Sequence, residues 1–378
     1  MTVVGTRPEI IKLSETIKLC DRLFDHVLVH TGQNYDYELN QVFFEGLGLR
    51  EPDRYLGVAG ADLGETMGNV LEKSYKLMAE VEPDALLILG DTNSCLCAIS
   101  AKRLKVPIFH MEAGNRCFDE NLPEEVNRRI VDTVSDVNLC YSEHARRNLA
   151  AMGCDPARTF VVGSPMREVL EANRRGFEAS DVLSREGLEP GCYILLSAHR
   201  EENIDNEVNF ASMVGAVNAL AEEYGVPVLY SVHPRARRRI EERGTGFHPL
   251  VRAHKPFGFH DYIALQRGAL CVVSDSGTLA EESAILGFPA VSLRTSTERP
   301  EVVDRGVFTL GSISAEGLIQ AVAVERALAG REASVPDYAD SNTSAKVARI
   351  IQGYTPYVNH WVWGNLTNTE MEQGDGRS

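Results

Sequence analysis

An alternation constrains this chain more than any single residue does. Short runs of β-branched and apolar residues end in Gly, Asp, His or a small polar residue, and longer stretches with helical spacing follow them. The runs predict buried strands at 1–4, 26–30, 85–89, 108–111, 137–141 and 159–162. A second series follows at 193–198, 226–232, 270–274, 290–293 and 307–310. Helical spacing predicts helices at 8–23, 63–81, 124–135 and 206–224. Strands this continuously apolar belong to parallel sheets covered on both faces. Two such series imply an α/β chain of two Rossmann-like, doubly wound domains. The length of 378 residues suits two cores of roughly 150–200 residues each. The best boundary is the turn at Gly163-Ser-Pro165. Residues 365–378 are polar and acidic and predict a disordered tail. Only two valines precede Gly5, so either the first strand is brief or a few upstream residues are missing.

Ligands of open parallel sheets bind at the C-terminal ends of the strands. The polar residues of this chain gather there: Gly5-Thr6-Arg7, Gly90-Asp91-Thr92 and Glu112 in the first half, His199 and Asp275-Ser276 in the second. Two such edges facing each other would hold a ligand in a cleft. The net charge of −16 argues against a broad nucleic-acid or acidic-membrane surface, so an anionic ligand needs cations placed locally. The start lacks the basic and apolar regions of a signal peptide, and no run of about 18 apolar residues exists to span a membrane. The eight cysteines are scattered without a CxxC pair, which reads as reduced thiols in a cytoplasmic protein. His110, His199 and His233 have no metal-site spacing, and no metal is expected.

Gly5-Thr-Arg-Pro-Glu-Ile-Ile-Lys12 follows a strand and opens a helix, with Pro8 suited to the first turn. Arg7 and Lys12 can reach an anion at that helix N-terminus, or can be surface charges on an ordinary helix start. Ser274-Asp-Ser-Gly-Thr278 is a strand followed by a glycine turn. Ser276 and Thr278 offer hydroxyls there, Gly277 offers backbone N–H groups, and Glu282 lies one turn inside the next helix, within reach of a ribose diol. An ordinary capped helix is the competing reading. No GxxxxGK[ST] or GxGxxG is present, so neither a P-loop nor a nicotinamide cofactor is supported. Arg299 can grip phosphate bidentately. Asp91, Glu112 and Glu124 are three carboxylates on one sheet edge, a pattern of acid–base sites more than of structure. Glu125 and Arg129, spaced i, i+4, read as a solvated pair on a helix face, as do the arginines at 235 and 237–239. His199 alone reads as either a structural strand-end residue or a site residue.

Taken together, the strings resemble the non-hydrolysing UDP-N-acetylglucosamine 2-epimerases over about residues 1–360. They are Gly-Thr-Arg-Pro-Glu at 5–9, Gly-Asp-Thr at 90–92, His-x-Glu-Ala-Gly-x-Arg at 110–116 and Pro-Glu-Glu-x-Asn-Arg at 123–128. His-Arg-x-Glu-Asn at 199–203, Ser-Asp-Ser-Gly at 274–277 and Thr-Glu-Arg-Pro-Glu at 297–301 follow in the family's order. The resemblance implies a GT-B-like fold whose C-terminal helix returns to the first domain. That helix would be 344–354, ending before Pro356, with domains of 1–164 plus 344–363 and 165–343. It implies catalysis by Asp91, Glu112, Glu124 and His199, with Arg128 holding carboxylates or substrate. It also implies UDP binding by Arg7, Lys12, His199, Tyr262, Ser276, Gly277, Thr278, Glu282 and Arg299.

The implied reaction converts UDP-N-acetylglucosamine to UDP-N-acetylmannosamine without a cofactor, in a cytoplasmic homodimer. Asn115 and Cys117-Phe-Asp-Glu-Asn121 look closer to members acting on other sugars, which keeps a UDP-N-acetyl-L-rhamnosamine to L-fucosamine epimerase open. Thr278 replaces a usual second glycine. Gln33-Asn-Tyr-Asp36 replaces the stretch of a regulatory second site, so that regulation is not expected. A GT-B glycosyltransferase and a non-catalytic nucleotide-sugar binding module are rival classes.

Overall fold

The computed structural model describes residues 1–32, 37–198, 200–204, 206–232, 234–243, 246–294, 296–330 and 334–365. The chain divides into two units, Met1–Val169 with Asp340–Ser378, and Leu170–Ala339. In the first unit the strands are β1 (Thr2–Val4), β2 (Leu28–His30), β3 (Arg54–Tyr55), β4 (Leu86–Leu89), β5 (Ile108–Met111), β6 (Val137–Cys140) and β7 (Thr159–Val161). They form one sheet in the order β3-β2-β1-β4-β5-β6-β7. The second unit holds β8 (Ile194–Ser197), β9 (Val228–Ser231), β10 (Val251–His254), β11 (Cys271–Ser274), β12 (Ala290–Ser292) and β13 (Thr309–Leu310), in the order β10-β9-β8-β11-β12-β13. Every pairing is parallel. Each unit thus winds outward from its first strand in both directions, the doubly wound order.

The expected strands are all present, with at most two residues trimmed from either end. Two strands were not expected, Arg54–Tyr55 and Val251–His254, and each is the third strand of its unit and lies at a sheet edge. An edge strand has one hydrogen-bonded neighbour and an open flank. Arg54, Tyr55, Arg252 and Ala253 are exposed, so no continuous apolar run marks either strand. The inner strands carry the burial. In the second unit Ile194, Leu196, Tyr230 and Val273 enter one core, while Leu195, Leu229 and Val272 enter another. This period-two division is that of a sheet covered on both faces.

The predicted helices appear as Arg7–Leu23, Leu63–Val81, Pro123–Val134 and Glu207–Tyr224. Asp62 caps the second by accepting from the Glu65 N–H at 2.8 Å, and Asn206 caps the last. The C-terminal helix differs from expectation: it runs Thr343–Trp361, straight through Pro356. A proline forfeits one backbone hydrogen bond and crowds the carbonyl four residues back. The turn beyond it persists because Val358 is fully buried and accepts from the Val362 N–H. This helix packs into the first unit, where Thr343 Oγ1 donates to the Ser164 carbonyl, the Ser344 N–H donates to Glu168 and Tyr354 meets Phe160 edge-on. Among the described residues no helix is long and apolar enough to cross a membrane. The expected tail lies outside the described residues except for Asn365.

Candidate active site

In the first unit the adjacent parallel strands β4 and β5 end in step, Leu89 opposite Met111. The chain leaves β4 through Gly90, whose φ of +80° suits glycine, and leaves β5 through Glu112 at φ +66°. A left-handed glutamate costs about 1–3 kcal/mol and persists only where its surroundings insist on it. Here they do. Lys12 Nζ donates to Glu112 Oε2 at 2.7 Å, with both side chains nearly buried. Two residues on, Gly114 N–H donates to the buried Asp132 carboxylate at 3.1 Å. Gly114 itself has no substitute, because a Cβ would lie 2.3 Å from the Ala145 carbonyl.

Asp91, one residue past Gly90, is gripped by Arg128, with Nε at 2.7 Å and Nη2 at 2.6 Å from Oδ2. The other edge of Arg128 donates to Glu125 Oε2 at 3.1 Å. Glu125 therefore differs from the solvated helix-face pair expected. It is fully buried in the first turn of Pro123–Val134, accepting also from the Cys117 N–H, while Arg129 Nε is 3.6 Å away and Arg129 Nη1 pairs with Glu120. The helix N-terminus and Arg128 offset the buried charge. Glu124, its neighbour, is half-buried on the same turn.

Behind the carboxylates stands a strut. His110 Nε2 donates to the Gly90 carbonyl at 2.8 Å, and Nδ1 lies 3.0 Å from Asp132 Oδ1, which with Arg116 at 2.6 Å forms a buried cluster. The carbonyl can only accept, which assigns a proton to Nε2. At the start of Arg7–Leu23, Glu9 Oε2 accepts the N–H groups of Gly5 at 2.5 Å and Thr6 at 2.9 Å, and Thr92 donates to its other oxygen. Burial pushes the Glu9 carboxyl up to about 7, against the pull of these donors. Arg7 is half-buried with its guanidinium 5.5 Å from the Phe43 ring.

In the second unit β11 ends at Ser274 and turns through Asp275-Ser276-Gly277-Thr278 into helix Leu279–Leu286. Ser276 and Thr278 bring their hydroxyls within 3.1 Å of each other. Asp275 is fully buried and accepts from the Arg200 N–H at 2.9 Å and Asn203 Nδ2 at 3.1 Å. It thereby ties Arg200 and Asn203 to the serine–glycine turn. His199 and His233 lie outside the described residues. Gln266 Nε2 donates to Glu282 Oε2 at 2.6 Å from the helix Phe259–Gly268, which also carries the half-buried Tyr262. Arg299 is buried, with Nη2 3.3 Å from Glu281 Oε2.

Asp91, Glu112, Glu124, Arg128, Arg7 and Lys12 thus belong to the first unit, and Tyr262, Ser276, Gly277, Thr278, Glu282 and Arg299 to the second. From sequence, the supporting residues Glu9, Asp132 and Gln266 carried no role, and Asp275 only a place at its strand end. Apart from the Gly5 and Thr6 N–H groups bonded to Glu9, their partners lie far along the chain, up to about 83 residues away for Glu9 and Thr92, and no local spacing announces those pairs. Chemically, Asp91 and Glu112 are two carboxylates at neighbouring strand ends, each paired with a cation.

The family model described as UDP-N-acetylglucosamine 2-epimerase matches residues 18–352. A solved UDP-N-acetylglucosamine 2-epimerase from Rickettsia bellii is 44% identical with a TM-score of 0.88, covering 96% of this chain and 98% of that one. The Methanocaldococcus jannaschii UDP-GlcNAc 2-epimerase, solved in complex with UDP-GlcNAc and UDP, is 32% identical with a TM-score of 0.88, covering 93% and 99%. A Pseudomonas aeruginosa UDP-2,3-diacetamido-2,3-dideoxy-D-glucuronate 2-epimerase is 33% identical over 85% of this chain and 90% of its own. With Gly-Thr-Arg-Pro-Glu, Gly-Asp-Thr and Ser-Asp-Ser-Gly at the strand ends of two doubly wound units, this chain belongs to the UDP-N-acetylglucosamine 2-epimerase family, enzymes of the isomerase class.

Proposed function

We propose that this protein converts UDP-N-acetylglucosamine to UDP-N-acetylmannosamine. The observation that carries the reading is the pair of carboxylates at neighbouring strand ends, Asp91 on Arg128 and Glu112 on Lys12. The solved relative with UDP-GlcNAc and UDP bound supports the same substrate class. The C2 proton of a 2-acetamido sugar is not beside a carbonyl, so its removal alone leaves no stabilised anion. Loss of UDP from C1 supplies the missing sink. A carboxylate takes the C2 proton, the C1–O bond breaks with its electron pair leaving on the UDP β-phosphate, and a C1=C2 double bond forms. Return of that oxygen to C1, with a proton delivered to the opposite face of C2, gives the epimer.

Opposite-face transfer needs two acid–base groups whose surroundings set their pKa values apart. Asp91, Glu112, Glu124 and His199 take these roles in the proposal, with Arg128 orienting Asp91. Arg7, Lys12, His199, Ser276, Gly277, Thr278 and Arg299 hold the diphosphate, Glu282 the ribose and Tyr262 the uracil. The eight free thiols agree with a reducing cytoplasm, and we assign a homodimer, to be checked by sedimentation. Incubation with UDP-GlcNAc in deuterated water, followed by NMR, tests the reaction: deuterium at C2 together with UDP-ManNAc is expected. Intact C2 protons and no epimer would refute this substrate.

A further inference from the structure

A further cation lies at the serine–glycine turn. A cavity of about 10 Å³ in the second unit is lined by Ser276, Gly277, Thr297, Arg299 and Arg294, among others. That volume holds one water or one oxygen atom. Arg294, just past β12, pairs through Nη1 with Glu298 Oε2 at 2.6 Å, and both side chains are about nineteen-twentieths buried. Its other terminal nitrogen, Nη2, has no partner among the described residues. A buried guanidinium N–H left without an acceptor costs more than an ordinary lost hydrogen bond, and native structures keep such groups where a ligand or water completes them.

The position of Glu298 adds a second reason. Its Oε1 lies 2.9 Å from where a Cβ on Gly277 would be, so a carboxylate packs directly against the turn that opens Leu279–Leu286, and a helix N-terminus is where an anion is favoured. An incoming phosphate would meet that negative charge unless it were neutralised in place. Arg294 neutralises it with one nitrogen, and its other nitrogen is left over for an acceptor.

We infer that Arg294 is a diphosphate-binding residue, its Nη2 donating to a phosphate oxygen at the Ser276–Gly277 turn, directly or through the single water the cavity admits. Glu298 acts as a positioning residue that fixes which edge of the guanidinium is presented. The inference rests on the UDP-sugar reading above, and the test separates the two.

Affinities for UDP and uridine are measured by calorimetry on the wild-type protein, Arg294→Lys and Arg294→Gln, with thermal melts to establish folding. Arg294→Lys keeps the charge beside Glu298 and loses the second donor, so it preserves the fold if the glutamine variant does not. The wild type should prefer UDP to uridine. Both folded variants should bind UDP about tenfold or more weakly while binding uridine within about twofold of wild type. An undiminished preference for UDP in Arg294→Lys would overturn the inference and leave the UDP-sugar reading standing. Equal loss of UDP and uridine binding would assign Arg294 a structural role and overturn it equally. A wild type that does not distinguish UDP from uridine would sink the reading itself, and this inference with it.

Discussion

At the scale of single residues, buried charges here act mainly by holding other groups in place. Glu9 accepts three donors that join the Gly5-Thr6 turn to Thr92, beside Asp91. Its carboxyl titrates at about 7 in the fold, against 4.5 for a free side chain. Between those values the folded protein holds a proton that the unfolded chain has released. Stability from this group therefore falls as pH rises from about 4.5 to 7, by at most about 3 kcal/mol. Glu9→Gln cannot titrate and should lose that slope. Melts of both proteins at pH 5 and pH 8 check this, and identical pH responses would count against it. For the chemistry, Asp91→Asn, Glu112→Gln, Glu124→Gln and His199→Asn should each lower turnover by about 10² or more with the fold retained. Wild-type rates in all four would remove the assigned roles. Asp91 and Glu112 were visible from sequence because they follow strand-like runs, and Glu124 because it opens a helix after Leu122-Pro123. Glu125 was misread because i, i+4 spacing to Arg129 identifies a shared helix face but not whether that face meets solvent or Arg128 and Cys117.

At the scale of elements, apolar runs and turn residues located the inner strands, and the two edge strands escaped because exposure on their open flank removes the pattern. Close approach made one glycine indispensable. Gly114→Ala places a Cβ 2.3 Å from the Ala145 carbonyl at a φ of +83°, so backbone must move on one side or the other. The expected loss is about 2–4 kcal/mol, measured by chemical denaturation, and an unchanged midpoint would contradict the packing described. The C-terminal helix carries the opposite lesson. Pro356 reads as a helix stop, yet packing of Val358 carries the helix to Trp361. Pro356→Ala should restore a backbone donor toward Gln352 and raise stability by about 1 kcal/mol or more. A lower melting temperature would mean that the proline fits its site better than its missing hydrogen bond suggests.

At the scale of the whole molecule, the first unit is discontinuous in sequence. Val347, Ile351 and Val358 of the final helix are buried in it, and Ser344 and Thr343 bond to residues 168 and 162–164. Truncation after Ala339 should cost the first unit roughly 5 kcal/mol and leave the second largely intact. Hydrogen exchange should then show protection lost in 1–169 and kept in 170–339, and uniform loss would argue against separate units. The sequence alone determined the doubly wound class, the strand ends that carry the candidate residues and the motifs of the family, because these depend on period, turn chemistry and neighbours a few residues apart. Tertiary structure decided which polar groups meet: Lys12 with Glu112, Arg128 with Asp91, Asp275 with Asn203, and Arg294 with Glu298 beneath Gly277. The physical reason is distance along the chain. Most of these pairs are joined by the winding of the sheets, and even the short Arg294–Glu298 spacing does not state that it is buried or which turn it supports.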